Sequence, residues 1–158
     1  MPNAPLPSQS DVDVFVYDWY RKLDSHVPVD EYLPLLSDDC ELVFPEATLQ
    51  GKDGYAAWYR GGARGMPGVI NLFFDEVHEL KRIDVAISGS DSRDSWRADL
   101  LIVVKWQAHR WAPPKPKSDY LAFDAWQRWT LRLAQTGKPV IQQYIVDRLE
   151  KLQGSADL

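Results

Sequence analysis

His78 stands in the run Phe73-Phe74-Asp75-Glu76-Val77-His78, where β-forming residues surround two carboxylates and an imidazole. Imidazole is the side chain whose charge changes nearest neutral pH, so on a rigid strand it can take a proton from a substrate and give it back. Asp75 and Glu76 are close enough in sequence to partner it, although neighbours on a strand face opposite sides. The plainer reading is a strand histidine satisfied by a hydrogen bond or lying at a sheet edge. His26 and His109 are read in that plainer way, the first at a helix end and the second on the outer sheet face.

Seven Trp in 158 residues are more than a core of this size requires. Trp19, Tyr20, Phe44, Trp58, Trp106, Trp129 and Tyr144 can line a site for a flat hydrophobic molecule, because rings stack and indole N–H and phenol O–H donate. Gln127, on the strand face that carries Trp129, joins that set as a polar ligand-binding residue. Core filling is the competing fate of each ring. A second competitor is a surface patch of Trp106, Trp111 and Trp126 beside His109-Arg110 and Lys115-Pro116-Lys117, a mixture that can hold single-stranded nucleic acid. The formal charge of -5 and pI near 5.1 argue against nucleic acid and favour a homodimer contact through the outer sheet face.

Other chemistries lack their residues. No His-Glu-x-x-His occurs and Cys40 is the single cysteine, so neither a metal nor a cofactor is expected. The glycines between 61 and 68 lack the Lys-Ser/Thr of a phosphate loop and follow a helix, and no serine sits in a nucleophile elbow. The lone cysteine and the absence of a basic-then-apolar leader point to a reducing, cytoplasmic setting. The longest apolar run, Leu100 to Val104, is too short to cross a membrane.

The elements that must hold these side chains follow from periodicity. Val12, Phe15, Val16, Trp19, Tyr20 and Leu23 recur at helical spacing from Asp11 onward. A short second helix is expected over Val29 to Leu36, a strand over Cys40 to Pro45 with Leu49-Gln50-Gly51 returning beside it, and a third helix over Lys52 to Arg64. Beyond Gly68, strands are expected near 69–87, 95–111, 119–134 and 140–148, long enough to need bending. Leu121, Phe123, Ala125, Gln127, Trp129, Leu131 and Leu133 should face the helices, as should Ala98, Leu100, Ile102, Val104, Trp106 and Ala108. The inner face of the last strand is left open. Three helices followed by long antiparallel strands make an α+β chain, read as a flexible arm (1–10), one domain (11–150) and a tail (151–158).

The order of amphipathic helix, Leu35-Leu36-Ser37-Asp38-Asp39-Cys40, Phe44-Pro45, then Gly51-Lys52-Asp53-Gly54-Tyr55, with a closing hairpin from Trp129 through Gly137 to Tyr144, resembles the nuclear transport factor 2-like superfamily. That superfamily includes ketosteroid isomerases and SnoaL-like polyketide cyclases. The resemblance implies a cone-shaped curved antiparallel sheet packed against three N-terminal helices, the cystatin-like α+β roll. It also places Tyr20 where the isomerases have their oxyanion-hole phenol. Their proton-shuttling aspartate falls on Phe44 and their second oxyanion donor on Trp129, so isomerase chemistry by that route is disfavoured. What the resemblance leaves is a pocket in which Tyr20 O–H and Trp129 N–H orient a hydrophobic carbonyl or hydroxyl compound. His78 is then the residue to move a proton in a lyase, cyclase or isomerase reaction. The alternative is a noncatalytic homodimeric association module.

Overall fold

The computed structural model describes residues 5–61 and 67–158. Helix α1 (Gln9–Ser25) opens with a capping box in which the Ser8 hydroxyl accepts from the Asp11 backbone and Asp11 reaches back to the Ser8 N–H. Its buried stripe is Val12, Val16, Trp19 and Tyr20, spaced four, three and one as a single helical face demands. The helix ends at His26, which adopts the left-handed conformation (φ 50°) and turns its N–H back onto Leu23 and Lys22.

The second helix expected over Val29 to Leu36 is instead two 3-10 turns, Val29–Glu31 and Leu33–Leu35. Pro34 explains the difference, since it has no N–H for an α-helical ladder and disfavours helix in the residue before it. Strand β1 (Leu36–Val43) begins four residues before Cys40, and β2 (Thr48–Gln50) returns beside it. Helix α2 (Gly51–Arg60) stops at Gly61, whose φ of 71° and bridge to Pro67 bring the chain back on itself. Gly61 and Gly68 approach so closely there that a Cβ on either would enter the other's backbone. The expected end of this helix from 62 to 64, most of the glycine run, and the first four residues of the expected arm lie outside the described residues.

A short helix α3 (Val69–Leu72) occupies the start of the expected third strand, and four long strands follow: β3 (Phe73–Ser88), β4 (Arg97–Arg110), β5 (Asp119–Leu133) and β6 (Pro139–Lys151). They form one six-stranded sheet in the order β2-β1-β6-β5-β4-β3. All neighbours are antiparallel except β1 and β6, which run parallel. α1 lies over β3 and α2 over β1, so the helices cover one face of the sheet. Register shifts in β3 and β6 bend the strands, as strands of this length require.

The inner faces of β4 and β5 are those expected: Ala98, Leu100, Ile102, Val104, Leu121, Ala125, Trp129 and Leu131 are all buried. On β6 two register shifts move the parity of the strand, so Ile141, Tyr144 and Val146 oppose Leu131, Trp129 and Gln127 and all three are buried. Beyond β6, Leu152 and Ala156 donate their backbone N–H groups to Ala122 and Tyr120. No helix among the described residues is long and apolar enough to cross a membrane.

Candidate functional site

His78 lies inward on β3, opposite Trp106 of β4, with a side chain only 10% exposed. Its partner is neither Asp75 nor Glu76 but Asp24, in the last turn of α1. One Asp24 oxygen lies 2.6 Å from His78 Nδ1, and the other accepts the His78 backbone N–H at 3.1 Å. A carboxylate only accepts, so it fixes the ring in the tautomer with a proton on Nδ1. Nε2 then carries the lone pair, and no side chain among the described residues bonds to it. An imidazole held at one nitrogen by an aspartate and free at the other is the arrangement of a general base. The signal for Asp24 in the sequence is weak, because it stands 54 residues away from His78 on a different element.

Tyr20, one helical turn before Asp24, stacks on the His78 ring at 4.9 Å and 24°. Its hydroxyl donates to Gln127 Oε1 at 2.8 Å, and Trp129 Nε1 donates to the same oxygen at 2.9 Å. The two donors expected to hold a ligand are both bonded to Gln127. Tyr144 and Trp19 complete this cluster, at ring separations of 4.8 and 6.1 Å from Trp129 and 6.0 Å from each other. Burial pushes the Tyr20 phenol well above its ordinary pKa, with Tyr144 adding to the effect, and raises Tyr144 to about 12. Both remain neutral donors near neutral pH. Trp19 Nε1 and Tyr55 Oη are buried with no hydrogen-bond partner among the described residues.

Phe44 and Trp58 stack face to face at 4.6 Å and 13°, and Phe44 continues to Tyr144 at 5.6 Å. Seven of the nine candidate residues (Tyr20, Gln127, Trp129, Tyr144, Trp19, Phe44 and Trp58) therefore form one continuous aromatic wall, joined to His78 through Tyr20. Trp106 lies at the other end of the same face, 5.3 Å from Phe73 and 6.2 Å from Phe123. This speaks against the competing reading of Trp106, Trp111 and Trp126 as one surface patch. Trp106 points inward, while Trp126 lies on the opposite face of β5 with the Arg148 guanidinium 4.5 Å above its ring.

A second carboxylate and imidazole meet beside the first pair. Glu76, buried on β3, is 2.9 Å from His26 Nε2 and accepts from Trp106 Nε1 at 3.2 Å. Asp75 at φ 52° marks the register shift before Val77, which turns Phe74 out to stack on His109 while Glu76 and His78, two apart, share the inner face. The hydrogen bond that His26 donates to Glu76 raises the pKa of His26 against the opposing effect of burial. Cys40 is buried and burial pushes its thiol up, which leaves it a poor nucleophile. Among the described residues no three His, Cys, Asp or Glu side chains gather as a metal site would require.

No family model matches the chain, and no curated protein matches it in sequence. Solved structures do. A hexachlorocyclohexane dehydrochlorinase from Novosphingobium barchaimii superposes with a TM-score of 0.67 at 11% identity, covering 95% of this chain and 93% of that one. The beta subunit of a benzoate 1,2-dioxygenase from Burkholderia mallei gives 0.62 at 13% identity over 92% and 91% of the two chains. A nuclear transport factor 2-like superfamily protein from Salmonella enterica gives 0.65 at 11% identity over 94% and 95%. Likeness at such identities speaks to architecture alone, and with the helices gathered on one face of a bent six-stranded sheet the chain has the cystatin-like, nuclear transport factor 2-like α+β fold.

Proposed function

We propose that the chain binds a neutral hydrophobic molecule along the aromatic inner face and removes a proton from it at His78 Nε2, in a lyase or isomerase reaction. The observation that carries this reading is the double contact of Asp24 with His78, which orients the ring and leaves one basic nitrogen unused. In an elimination, the substrate C–H proton passes to Nε2, the C–H pair becomes the new double bond, and the leaving group departs with its own bonding pair. Trp19 Nε1 and Tyr55 Oη, buried donors without partners, are places where a ligand carbonyl or hydroxyl gains hydrogen bonds that water no longer supplies. The fold is shared with a protein named for dehydrochlorination, which is itself an elimination. Phe44, stacked on Trp58, serves as wall and not as base. The single, buried Cys40 accords with a cytoplasmic setting.

The test begins with native mass spectrometry and tryptophan fluorescence against a panel of neutral cyclic ketones, alcohols and alkyl halides. Ligands that bind are then followed for elimination and for solvent deuterium uptake. His78→Ala is expected to slow either reaction by roughly 10²- to 10⁴-fold while ligand-induced quenching persists. Equal rates in the variant and the wild type would remove His78 from the chemistry.

A second reading, association through the outer sheet face, draws on a groove of about 390 Å³ there, floored in part by Leu101, which is 50% exposed. Sedimentation should then show a dimer that Leu101→Lys dissociates. A monomeric wild type rules this reading out.

A further inference from the structure

We infer that His26 and Glu76 are positioning residues for the proton carrier: their contact pins the end of α1 to the start of β3 and thereby sets where Asp24 meets His78. The inference rests on the reading of Asp24 and His78 as the proton-transfer pair, and it concerns what holds that pair in register.

The spacing makes the argument. Asp24 and His26 are two apart at the end of α1, and Glu76 and His78 are two apart on β3, so two carboxylate–imidazole contacts join the same two segments in opposite senses. A helix end is the softest part of a helix, since its last carbonyls lack intrahelical partners. Asp24 lies in that last turn, yet its 2.6 Å contact to His78 needs placement to a fraction of an ångström. The chain beyond Ser25 turns through His26 in the left-handed conformation, which aims the ring at β3 and not along the helix. Glu76 receives it in a buried position where Trp106 Nε1 already holds the other carboxylate oxygen. Without this anchor the last turn has one tether to β3, and fraying would act directly on the catalytic distance.

The two imidazoles differ in how they are used. His78 offers one nitrogen to Asp24 and keeps the other free. The His26 ring meets Glu76 from β3, with Asp24 of its own helix the other carboxylate nearby. The contact with Glu76 raises the His26 pKa against burial and so favours the imidazolium, in which form the pinning contact is a charge-assisted bond to a buried carboxylate.

The test needs no substrate. The Nδ1 proton of a histidine bonded to a carboxylate is strongly deshielded and slow to exchange, and nuclear magnetic resonance of the full chain reads it at His78. Asp24→Asn is expected to abolish that signature. His26→Gln and Glu76→Gln are expected to leave the fold intact by amide dispersion but to speed exchange of the His78 Nδ1 proton several-fold and move its resonance upfield. If both variants keep the wild-type resonance and exchange rate, the positioning role is overturned, while the Asp24→Asn result stands on its own. An unchanged signature in Asp24→Asn would instead overturn the proton-transfer pair itself. Unfolding of both His26→Gln and Glu76→Gln would make the contact a prop of the whole fold and would also overturn the positioning role.

Discussion

The inner and outer faces of this sheet both carry close polar contacts, and the same bond lengths mean different things on the two sides. Inside, Tyr20 and Trp129 donate to Gln127 at 2.8 and 2.9 Å, all three buried among aromatic rings. Outside, Arg128 and Arg97 grip Asp147 and Asp99 at 2.7 to 3.0 Å with much of each side chain in water. An exposed ion pair exchanges good hydration for a screened attraction and nets at most about 1 kcal/mol. A buried donor that loses its acceptor has no water to turn to and costs about 1–3 kcal/mol. Polar atoms on the inner face therefore serve orientation, and their placement is what a ligand site would use, whereas those outside serve solubility and register.

Breaking the inner side of this comparison should produce the largest change. Gln127→Leu keeps much of the side-chain volume but strands the Tyr20 hydroxyl and the Trp129 N–H together, so unfolding in urea is expected to show a loss of about 2–5 kcal/mol. A loss below about 1 kcal/mol would mean that water or a ligand reaches this cluster and that it is not dry. Tyr20→Phe sharpens the point, because it removes one donor and leaves Gln127 with the other. The expected loss is about 1 kcal/mol by the same measurement.

The next effect is a dependence on pH and not a substitution. The His26 pKa is raised in the folded chain by the hydrogen bond the ring donates to Glu76, against the effect of burial. A group raised above its unfolded value contributes stability in full below that unfolded value, near 6.5 for histidine, and loses it as pH climbs through the folded value. Thermal unfolding should thus show Tm falling between about pH 6.5 and the folded-state titration of His26, and His26→Gln should flatten that slope. A slope identical in the variant would assign the dependence to other groups.

Much of the fold could be read from periodicity because the inner faces of α1, β4 and β5 carry apolar residues at regular intervals: Val12, Val16, Trp19 and Tyr20 on the helix, Ala98 through Val104 on β4, and Leu121 through Leu131 on β5. β6 resisted that reading because alternation fails twice, at the shifts between Trp126 and Gln127 and between Thr130 and Leu131 on its partner. A bulge changes which face a residue takes without leaving a mark on hydrophobicity. The same kind of shift parts Phe74 from the face of Glu76 and His78, which an unbroken strand would give to all three. The candidate site was legible in its types and not in its pairings. His78, Tyr20 and Trp129 stand out as residues, but Asp24 and Gln127 become partners through contacts that span 54 and 107 positions, which no local pattern encodes.

The smallest expected effect belongs to the outer face, and it is the one that decides whether that face is free. Arg128→Ala removes the partner of Asp147, whose carboxyl the guanidinium holds below its ordinary pKa. A depressed carboxylate contributes stability above its unfolded value, near 3.9, and surrenders it as pH falls through the folded one. At neutral pH the loss should stay under about 1 kcal/mol and shrink further in high salt, because both side chains meet water. A sheet face covered by a second copy would behave otherwise. Its guanidinium would be desolvated, the substitution would cost as much as Gln127→Leu, and the cost would grow with protein concentration as a dimer formed. Measuring the two variants side by side at two protein concentrations therefore turns the contrast between the faces into a direct reading of what, if anything, lies against the outer one.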